Sequence, residues 1–431
     1  MNKPVTPQSA EQDRAAPETA ATASAPLPSL FALTPLNEAY RQDPYAILAD
    51  LRARCPAHLD QTANALILTR YADVRATTSD HSLWRDPILA SDARERSPEL
   101  FAEAVAGKPR SETTSILHLD DPDHERLRRP LTQALYARVT RFKPALQQIV
   151  EGTLDRIDAS APFDVMSAFC VQVPIDAIAS ILGVDPDRLA EFRQWSEGVV
   201  QGLNPFRTPE ATAELERCGA AMEAYFTATI AARKAEPRDD LISDMTRLQA
   251  EGGGFNDTEL RINLSTLLAA GNLTTTDLIG NAILTLLTHP GQLAAYKADP
   301  TLINALVEET LRFEPPVDIT GRIASRDMEV GGVAVHAGQR LTTSLRAANR
   351  DPAIFADPDR FDILRERKPH MAFGGGVHVC AGAPLARLEA QVALAALFDR
   401  FPNLHLAEPD AELAWRRLPF FRGLERLMVA N

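Results

Sequence analysis

The chain has 431 residues, of which 45% are hydrophobic, and it is therefore long enough to bury a large core. Acidic side chains outnumber basic ones by 58 to 45, which gives a formal charge of -13, and no Lys/Arg-rich run is present, so a nucleic-acid partner is not expected. The four cysteines form no CxxC pair and no CxxCH motif, which argues against a structural zinc site, a covalently attached c-type haem and a disulfide framework.

Residues 1–28 are rich in Ala, Pro and Thr and contain no apolar run that could serve as a signal peptide or a membrane anchor. This composition is typical of a disordered tail, and we expect a cytoplasmic protein. No other stretch of the chain reads as a linker, and no internal repeat is found.

Beyond the tail, most segments repeat apolar residues every three or four positions, which predicts helices over 43–55, 187–203 and 209–237. Strand patterns are short: one covers 65–69, and 328–345 reads as hairpins broken at Gly331-Gly332 and Ala337-Gly338. Residues 348–379 have no regular pattern, and their spaced apolar side chains favour an ordered, functional loop over a disordered one.

The longest apolar segment is "LSTLLAAGNLTTTDLIGNAILTLL", residues 264–287. Asparagines, threonines and Asp277 interrupt it, so it is not an uninterrupted transmembrane span. It predicts a helix buried within the protein.

One cysteine has an unusual context, in "FGGGVHVCAG", residues 373–382. An amphipathic helix with Pro384 in its first turn follows Cys380, so the thiol precedes a helix N-terminus, where amide donors favour the thiolate. Glycines remove the β-carbons from the turn before it, which lets the backbone approach a large flat group. A thiolate in such a place suits an axial ligand of haem iron. The alternative for this short string alone is a buried structural cysteine beside a flexible turn.

The longer string "FGGGVHVCAGAPLAR" resembles the haem-binding signature of the cytochrome P450 family, in which a cysteine thiolate holds the haem iron. The matching positions are Phe373, Gly374, Gly376, His378, Cys380, Gly382, Leu385, Ala386 and Arg387. The resemblance covers about residues 30–431. It implies a mainly α fold with a small β region, a single haem domain over residues 29–431, haem b as cofactor and Cys380 as the iron ligand.

Two further sets of residues match the family. "EETLRFEPP" places Glu309 and Arg312 on one helix face, and the family pairs them with an arginine of the following meander, for which "DPDRF" offers Arg360. Four residues in family order resemble the clamp on the two haem propionates, with charge-assisted hydrogen bonds as its physical basis. These are His124, Arg128, Arg322 and His378.

The buried segment resembles the helix that crosses the oxygen-binding side of the haem. Ala270, Gly271, Asn272 and Thr274 match its Ala-Gly-x-acid-Thr pattern, and we expect Gly271 and Thr274 to open a groove for O₂ and water. The acid position holds Leu273, although in the family that carboxylate helps to deliver protons during oxygen activation. Three explanations stay open: water and Thr274 suffice, another side chain supplies the acid, or the enzyme accepts peroxide directly.

The segments that wall the substrate pocket in the family are apolar in this chain. They supply Trp84, Ile88, Leu89, Val199, Val200, Leu267, Ala270, Val317, Ile319, Phe420 and Phe421. We therefore expect a monooxygenase that inserts one oxygen atom from O₂ into an apolar small molecule such as a terpenoid, steroid, fatty acid or aromatic compound. The alternatives are a peroxide-driven peroxygenase or other atypical thiolate-haem catalyst, and a non-catalytic haem or ligand-binding sensor.

No glycine fingerprint for a flavin or nicotinamide follows the cysteine loop, so electrons are expected from a separate ferredoxin with its reductase. A basic patch on the cysteine side of the haem is the expected docking surface. It would comprise Arg126, Arg129, Arg365, Arg367, Lys368 and Arg387. A monomer is expected.

Overall fold

The computed structural model of the chain describes residues 26–96, 101–102, 106–204 and 206–431. The predicted tail therefore lies outside the described residues, except for residues 26–28. Helices dominate the rest. In chain order they are α1 (Glu38–Gln42), α2 (Pro44–Arg54), α3 (Tyr71–Ser79), α4 (Ala93–Arg96), α5 (Asp123–Leu154), α6 (Gln172–Leu182), α7 (Leu189–Val200), α8 (Pro209–Ala235), α9 (Leu241–Ala250), α10 (Asp257–Thr288), α11 (Pro290–Ala298), α12 (Ile303–Phe313), α13 (Leu345–Asn349) and α14 (Ala383–Arg400).

The strands are short and lie in small sheets. They are β1 (Ala57–Asp60), β2 (Ala65–Leu68), β3 (Phe163–Asp164), β4 (Ile319–Ile323), β5 (Met328–Val330), β6 (Val333–Val335), β7 (Arg340–Ser344), β8 (His405–Leu406), β9 (Ala414–Trp415), β10 (Leu424–Arg426) and β11 (Met428–Ala430). One sheet has the order β1-β2-β7-β4, in which β2 and β7 run parallel, and another has the order β3-β11-β8. The pairs β5-β6 and β9-β10 stand apart.

The three helices predicted from periodicity are confirmed as α2, α7 and α8, and the predicted strand over 65–69 is β2. The first predicted hairpin is the β5-β6 pair, but the second is wrong, because β7 pairs with β2 and β4 and not with β6. The reason is tertiary. Residues 341–344 of β7 are buried, so the strand is most favourably placed in the middle of a sheet, with a partner on each edge.

The central helix α10 begins at a capping box, in which Asn256 accepts from the amide of Glu259 and the Glu259 carboxylate accepts from the amide of Asn256. Its 32 residues span about 48 Å. It packs against α6, α7, α8, α12 and α14, as predicted for a helix that is apolar on most sides. Among the described residues no helix is long and apolar enough to cross a membrane.

The segment between α13 and α14 is irregular but tied to α12. Glu309 pairs with Arg312 at 2.7 Å, and Arg312 also donates to the carbonyls of Asn349 and Pro358. Hydrogen bonds of this kind replace a regular ladder and hold the segment in one conformation. The predicted ordered loop is confirmed, and it carries the cysteine motif back to the start of α14.

The prediction that the side chain of Arg360 joins this pair is wrong. That side chain is 64% exposed and pairs with Asp362, and it is the carbonyl of Arg360 that accepts from Arg312. Arg365 takes the place instead, with its Nε 3.3 Å from Glu309. The sequence does not show whether Arg360 or Arg365 points toward Glu309, because the backbone turns of this segment set the direction of each side chain.

Candidate active site

The loop before α14 is a tight turn that ends at Cys380. The Cys380 amide donates to the Phe373 carbonyl at 3.0 Å, which closes the turn. Gly374 and Gly376 have φ angles of +70° and +67°, in the left-handed region that favours glycine. A Cβ on Gly376 would lie 2.5 Å from the Thr78 carbonyl oxygen, whereas one on Gly374 would meet nothing within 4 Å. Gly376 therefore allows the loop to pack closely against α3, whereas the space beside Gly374 is open.

Cys380 is exposed, whereas Cys170 and Cys218 are buried and Cys55 is partly so. The surrounding protein restricts hydration of the thiol and raises the pKa of Cys380, and the amides of Gly382 and Ala383 together with the charge of Arg128 act against this rise. The helix start was expected to favour the thiolate. In the polypeptide, desolvation of the thiol outweighs the helix amides, so the polypeptide by itself does not favour the thiolate.

The four predicted clamp residues come together around this loop. The rings of His124 and His378 lie 4.1 Å apart. Arg128 donates to the Val379 carbonyl, and Arg322 donates to the Thr78 carbonyl at 2.9 Å. α5, β4 and the cysteine loop each contribute to the group.

This group has a surplus of positive charge. Among the residues that the structure describes, no carboxylate forms an ion pair with Arg128 or Arg322, and both guanidinium groups donate to backbone carbonyls. The Nε2 of His124 is buried and has no hydrogen-bond partner. Burial and the neighbouring cations lower the pKa of His378 to about 2, so this ring is neutral. The arrangement suits an anionic group with several acceptor oxygens.

Arg85 belongs to the same group and was missed by sequence reasoning. Its Nη1 donates to Thr320 Oγ1 at 2.8 Å, and its Nε donates to the Leu117 carbonyl at 2.9 Å. Burial, and next the charge of Arg322, lower the pKa of Arg85 to about 9. No motif in the sequence marks Arg85, although it directly follows Trp84 in a segment expected to wall an apolar pocket.

The exposed face of α10 carries Ala270 and Thr274. Ala270 is exposed in the middle of this helix, and the residues one turn away on the same side, Leu267 and Thr274, are half-buried. The Thr274 hydroxyl donates to the Ala270 carbonyl at 2.8 Å, the back-bond expected from sequence. The predicted pair Ala270 and Thr274 therefore shares one accessible face.

Two other predicted residues of this helix do not belong to that face. A Cβ on Gly271 would lie 3.3 Å from Cγ1 of Ile178, so Gly271 permits close packing against α6 and does not open a groove. Asn272 is buried, and it lines a small cavity of about 60 Å³ together with Thr276 and Arg416. The reason is the helical period: residues two apart point in nearly opposite directions.

Leu273 is buried in an apolar cluster formed by α7, α10 and the C-terminal segment. Its members are Val200, Ala269, Leu273, Leu418 and Phe421, with Val199, Val317 and Phe420 packed against them. Val317 and Phe421 are also joined by an isolated β-bridge. Phe420 has a φ of +70°, an unusual conformation for a bulky residue, and such strain concentrates at functional sites. This cluster unites five of the predicted pocket residues: Val199, Val200, Val317, Phe420 and Phe421.

The other predicted pocket residues lie elsewhere. Trp84 packs beside Ala90, Ala93 and Ile323 in a separate cluster. Leu267 packs against the main core, Ile319 and Ile88 are half-buried, and Leu89 is exposed. The predicted pocket residues therefore form two separate apolar groups, one at Phe420 beside the start of β4 and one at Trp84 beside its end.

The predicted basic patch is smaller than expected. Arg365 is engaged with Glu309, Arg387 with Glu308 at 2.6 Å, and Arg126 with Asp123 and Glu259. The remaining three, Arg129, Arg367 and Lys368, are exposed. Their charges are available at the surface.

The comparisons with known proteins agree with this geometry. A family model described as cytochrome P450 matches residues 297–413. The chain is 38% identical over 414 residues to cytochrome P450 107B1 of Saccharopolyspora erythraea, covering 94% of this chain and 98% of that protein. It is 36% identical over 418 residues to the cytochrome P450 monooxygenase PikC of Streptomyces venezuelae, covering 95% of both.

Among solved structures, the myxobacterial cytochrome P450 CYP267B1 in complex with myristic acid superposes with a TM-score of 0.81 at 33% identity. The match covers 92% of this chain and 98% of that one. The chain belongs to the cytochrome P450 family. It has the P450 fold and is an oxidoreductase of this monooxygenase family, which implies a haem cofactor, O₂, a small-molecule substrate and a redox partner.

A haem fits the residues present. The two haem carboxylates could accept hydrogen bonds from Arg128 and Arg322 and from the unpartnered Nε2 of His124. Cys380 lies at the end of the same loop, and its thiol is the exposed one among the four cysteines. Family membership also removes the support for a non-catalytic sensor.

Proposed function

We propose that the chain is a single catalytic domain from residue 29 onward that inserts one oxygen atom from O₂ into an apolar small molecule, with haem b held by Cys380. The observation that carries the proposal is the unmatched positive charge of Arg128 and Arg322 at the loop that presents this thiol. Bound haem supplies the oxygen activation. The protein supplies the thiolate, the propionate donors and the apolar walls.

The residues divide this work between two sides. His124, Arg128, Arg322 and His378 would orient the cofactor through its carboxylates, which fixes the position of the cysteine relative to α10. Ala270 and Thr274 would face the oxygen, and the Thr274 hydroxyl can exchange its bond to the Ala270 carbonyl for one to a water. The apolar walls would exclude bulk water from the site.

For the substrate we propose an apolar molecule, in the range of terpenoids, steroids, fatty acids and aromatic compounds. Support comes from the cluster around Phe420 and Phe421 and from the wall at Trp84. The CYP267B1 structure holds myristic acid, a fatty acid, in a related fold. For the electrons we propose a ferredoxin-type partner, which the exposed Arg129, Arg367 and Lys368 would suit.

The test of the proposal is the optical spectrum of the reduced, carbon-monoxide-bound protein. A Soret band shifted strongly to longer wavelength is expected for the natural chain and should be lost in Cys380→His, while the control Cys55→Ser retains it. A natural chain that binds haem without this band would overturn the assignment of Cys380.

A second candidate, turnover driven by peroxide, is favoured by the environment of Leu273. This residue is 8% exposed and surrounded by apolar side chains, and the carboxylate nearest along the helix, Asp277, is buried and paired with Arg416. No carboxylate therefore stands at the family's acid position. A higher rate with hydrogen peroxide than with a reduced ferredoxin system would support this candidate.

Leu273→Glu separates the two candidates further. If proton delivery limits turnover, Leu273→Glu raises the amount of product formed per pair of electrons. Leu273→Gln, whose side chain has the shape of glutamate but no acidic proton, does not. Equal or lower coupling in Leu273→Glu would show that the missing acid is not the limiting feature.

A further inference from the structure

The carboxylate of Glu308 on α12 connects the two ends of the segment that carries Cys380. Its Oε1 accepts from Nε of Arg387 at 2.6 Å, and its Oε2 accepts from Nη2 of the same guanidinium at 3.1 Å. Oε2 also lies 3.2 Å from Nε2 of His370. His370 precedes Cys380 in the chain and Arg387 follows it on α14, so one carboxylate contacts the segment on both sides of the thiol.

The ring of His370 extends this contact to the backbone that enters the cysteine loop. The amide of Ala372 donates to its Nδ1 at 3.2 Å, so the proton of the neutral ring lies on Nε2, which donates to Glu308. The amide between them, that of Met371, donates to Oδ1 of Asn349 at 2.6 Å. The backbone is therefore held at two successive amides just before the loop begins.

The guanidinium of Arg387 makes the second connection, to the turn itself. Its Cζ lies 4.5 Å from the centre of the Phe373 ring, which is a cation–π contact. The carbonyl of Phe373 is the acceptor of the Cys380 amide. Glu308 therefore holds a cation against the residue that closes the turn before the thiol.

The next carboxylate of α12 has different partners. Glu309 pairs with Arg312 and Arg365 and so anchors the segment that follows α13. Although burial opposes its ionisation, hydrogen bonds from His370 and Arg387 lower the pKa of Glu308 to about 2, so its carboxylate is charged at neutral pH. Two adjacent glutamates therefore hold two different parts of the irregular segment.

We propose that Glu308 is a positioning residue that holds the cysteine loop in the conformation in which Cys380 is presented to the cofactor iron. It acts through His370 at the entry of the loop and through Arg387 at its exit. This inference rests on the proposed function, since it takes Cys380 as the iron ligand. The competing explanation is an ion pair that stabilises the fold without any particular effect on the loop.

Hydrogen exchange of the holoenzyme tests the effect on the loop. Glu308→Gln removes the charge and nearly keeps the size of the side chain, and the cavity of about 320 Å³ that Glu308 lines leaves room for the amide. Exchange of the amides of residues 373–382 should become roughly 5- to 30-fold faster, because the loop opens more often, while α8 is unchanged. Glu366→Gln, an exposed carboxylate on the rim of the same cavity, is the matched control.

The spectrum of the reduced, carbon-monoxide-bound protein tests the effect on the thiolate. The share of protein with the long-wavelength Soret band should fall about twofold or more in Glu308→Gln, because the thiol is correctly placed for less of the time. Arg387→Lys keeps the charge but loses the two side-by-side hydrogen bonds, so it should lie between this variant and the natural chain. If Glu308→Gln does not fold, Arg387→Lys carries both measurements.

His370→Asn separates the two connections. Asparagine can still accept from the Ala372 amide but does not reach Glu308, so this variant should speed exchange in the natural background and have no further effect in Glu308→Gln. Additive effects of the two changes would show that they do not act through one contact.

The proposal is wrong if Glu308→Gln lowers the urea midpoint of unfolding while loop exchange and the Soret band match those of Glu366→Gln. It is equally wrong if none of the three measurements changes. Failure of the proposed function is seen separately, as the absence of the long-wavelength band in the natural chain, because hydrogen exchange reports on the loop whatever ligand the iron has.

Discussion

Two sets of arginines in this molecule have opposite surroundings. Arg346 is fully buried between Glu314 and Asp318, and Arg312 is paired with Glu309, so each of these charges has a carboxylate within the chain. The other set, Arg85, Arg128 and Arg322, donates its hydrogen bonds to carbonyls and a hydroxyl, and of these three Arg322 is buried and the other two are half-buried. A buried charge without a partner is costly, so its persistence marks a place where a ligand supplies the missing anion.

The largest effect is expected from breaking the paired set. Glu309→Gln leaves Arg312 and Arg365 without a carboxylate and should lower the free energy of unfolding by about 3–5 kcal/mol. Arg360→Gln, at an exposed position, should change it by less than about 0.5 kcal/mol. Urea unfolding of both variants provides the measurement, and equal effects would contradict the replacement of Arg360 by Arg365.

A smaller effect concerns Asp277, a buried carboxylate with a single arginine partner. Burial raises the pKa of Asp277 to about 6, against the opposing charge of Arg416. The unfolded chain releases this proton near pH 4, so the contribution of Asp277 to stability is present below that pH and is lost as the pH rises through 6.

From pH 4 to pH 7 the natural chain should therefore lose up to about 3 kcal/mol relative to Asp277→Asn. Urea unfolding at several pH values checks this, with Asp410→Asn as the exposed control. A constant difference between the natural chain and Asp277→Asn across this range would contradict the assigned shift.

Removing one member of the unpaired set should affect haem more than folding. Arg322→Gln should raise the dissociation constant for haem roughly 10- to 100-fold, since it removes charge-assisted hydrogen bonds to a carboxylate. The haem-free chain should be no less stable, because the variant relieves repulsion with Arg85. Arg326→Gln, on an exposed neighbour, serves as the control, and a comparable loss of haem in it would argue against the clamp.

The smallest effect is expected where arginine and lysine charges face the solvent. The double change Arg367→Glu and Lys368→Glu should raise the apparent KM for a ferredoxin severalfold at low salt, and the difference should shrink as salt is added. Lys143→Glu, at an exposed position on α5 outside this patch, is the control for charge reversal. A KM that does not depend on salt in the double variant would place the docking surface elsewhere.

Much of the fold could be predicted because its signals are local. The apolar period gave the helices, and the cysteine motif, with fixed spacing between glycines, His378 and Cys380, predicts a loop whose closing bond the structure contains. Thr274 and its back-bond to Ala270 were also predictable, since both lie within one helical turn.

The remaining features depend on tertiary packing. The partner strands of β7 are distant in sequence, and Arg365 was preferred to Arg360 by turns that no pattern encodes. Arg85 carries no motif, and its unpaired charge becomes visible only when the surrounding carboxylates are found to be engaged. Asn272 is different, because counting residues along the helix would have separated it from Thr274.

The unpaired arginines also bear on how the protein is produced in a cell. Before it binds haem, a newly made chain must bring Arg85, Arg128 and Arg322 together with Asp120 as the carboxylate beside them, and the excess of positive charge favours an open, protease-sensitive state of this region. The cofactor's carboxylates act as counter-ions that complete the last step of maturation. The yield of protease-resistant protein should therefore follow the supply of porphyrin and iron during synthesis, more closely than it follows the rate of translation.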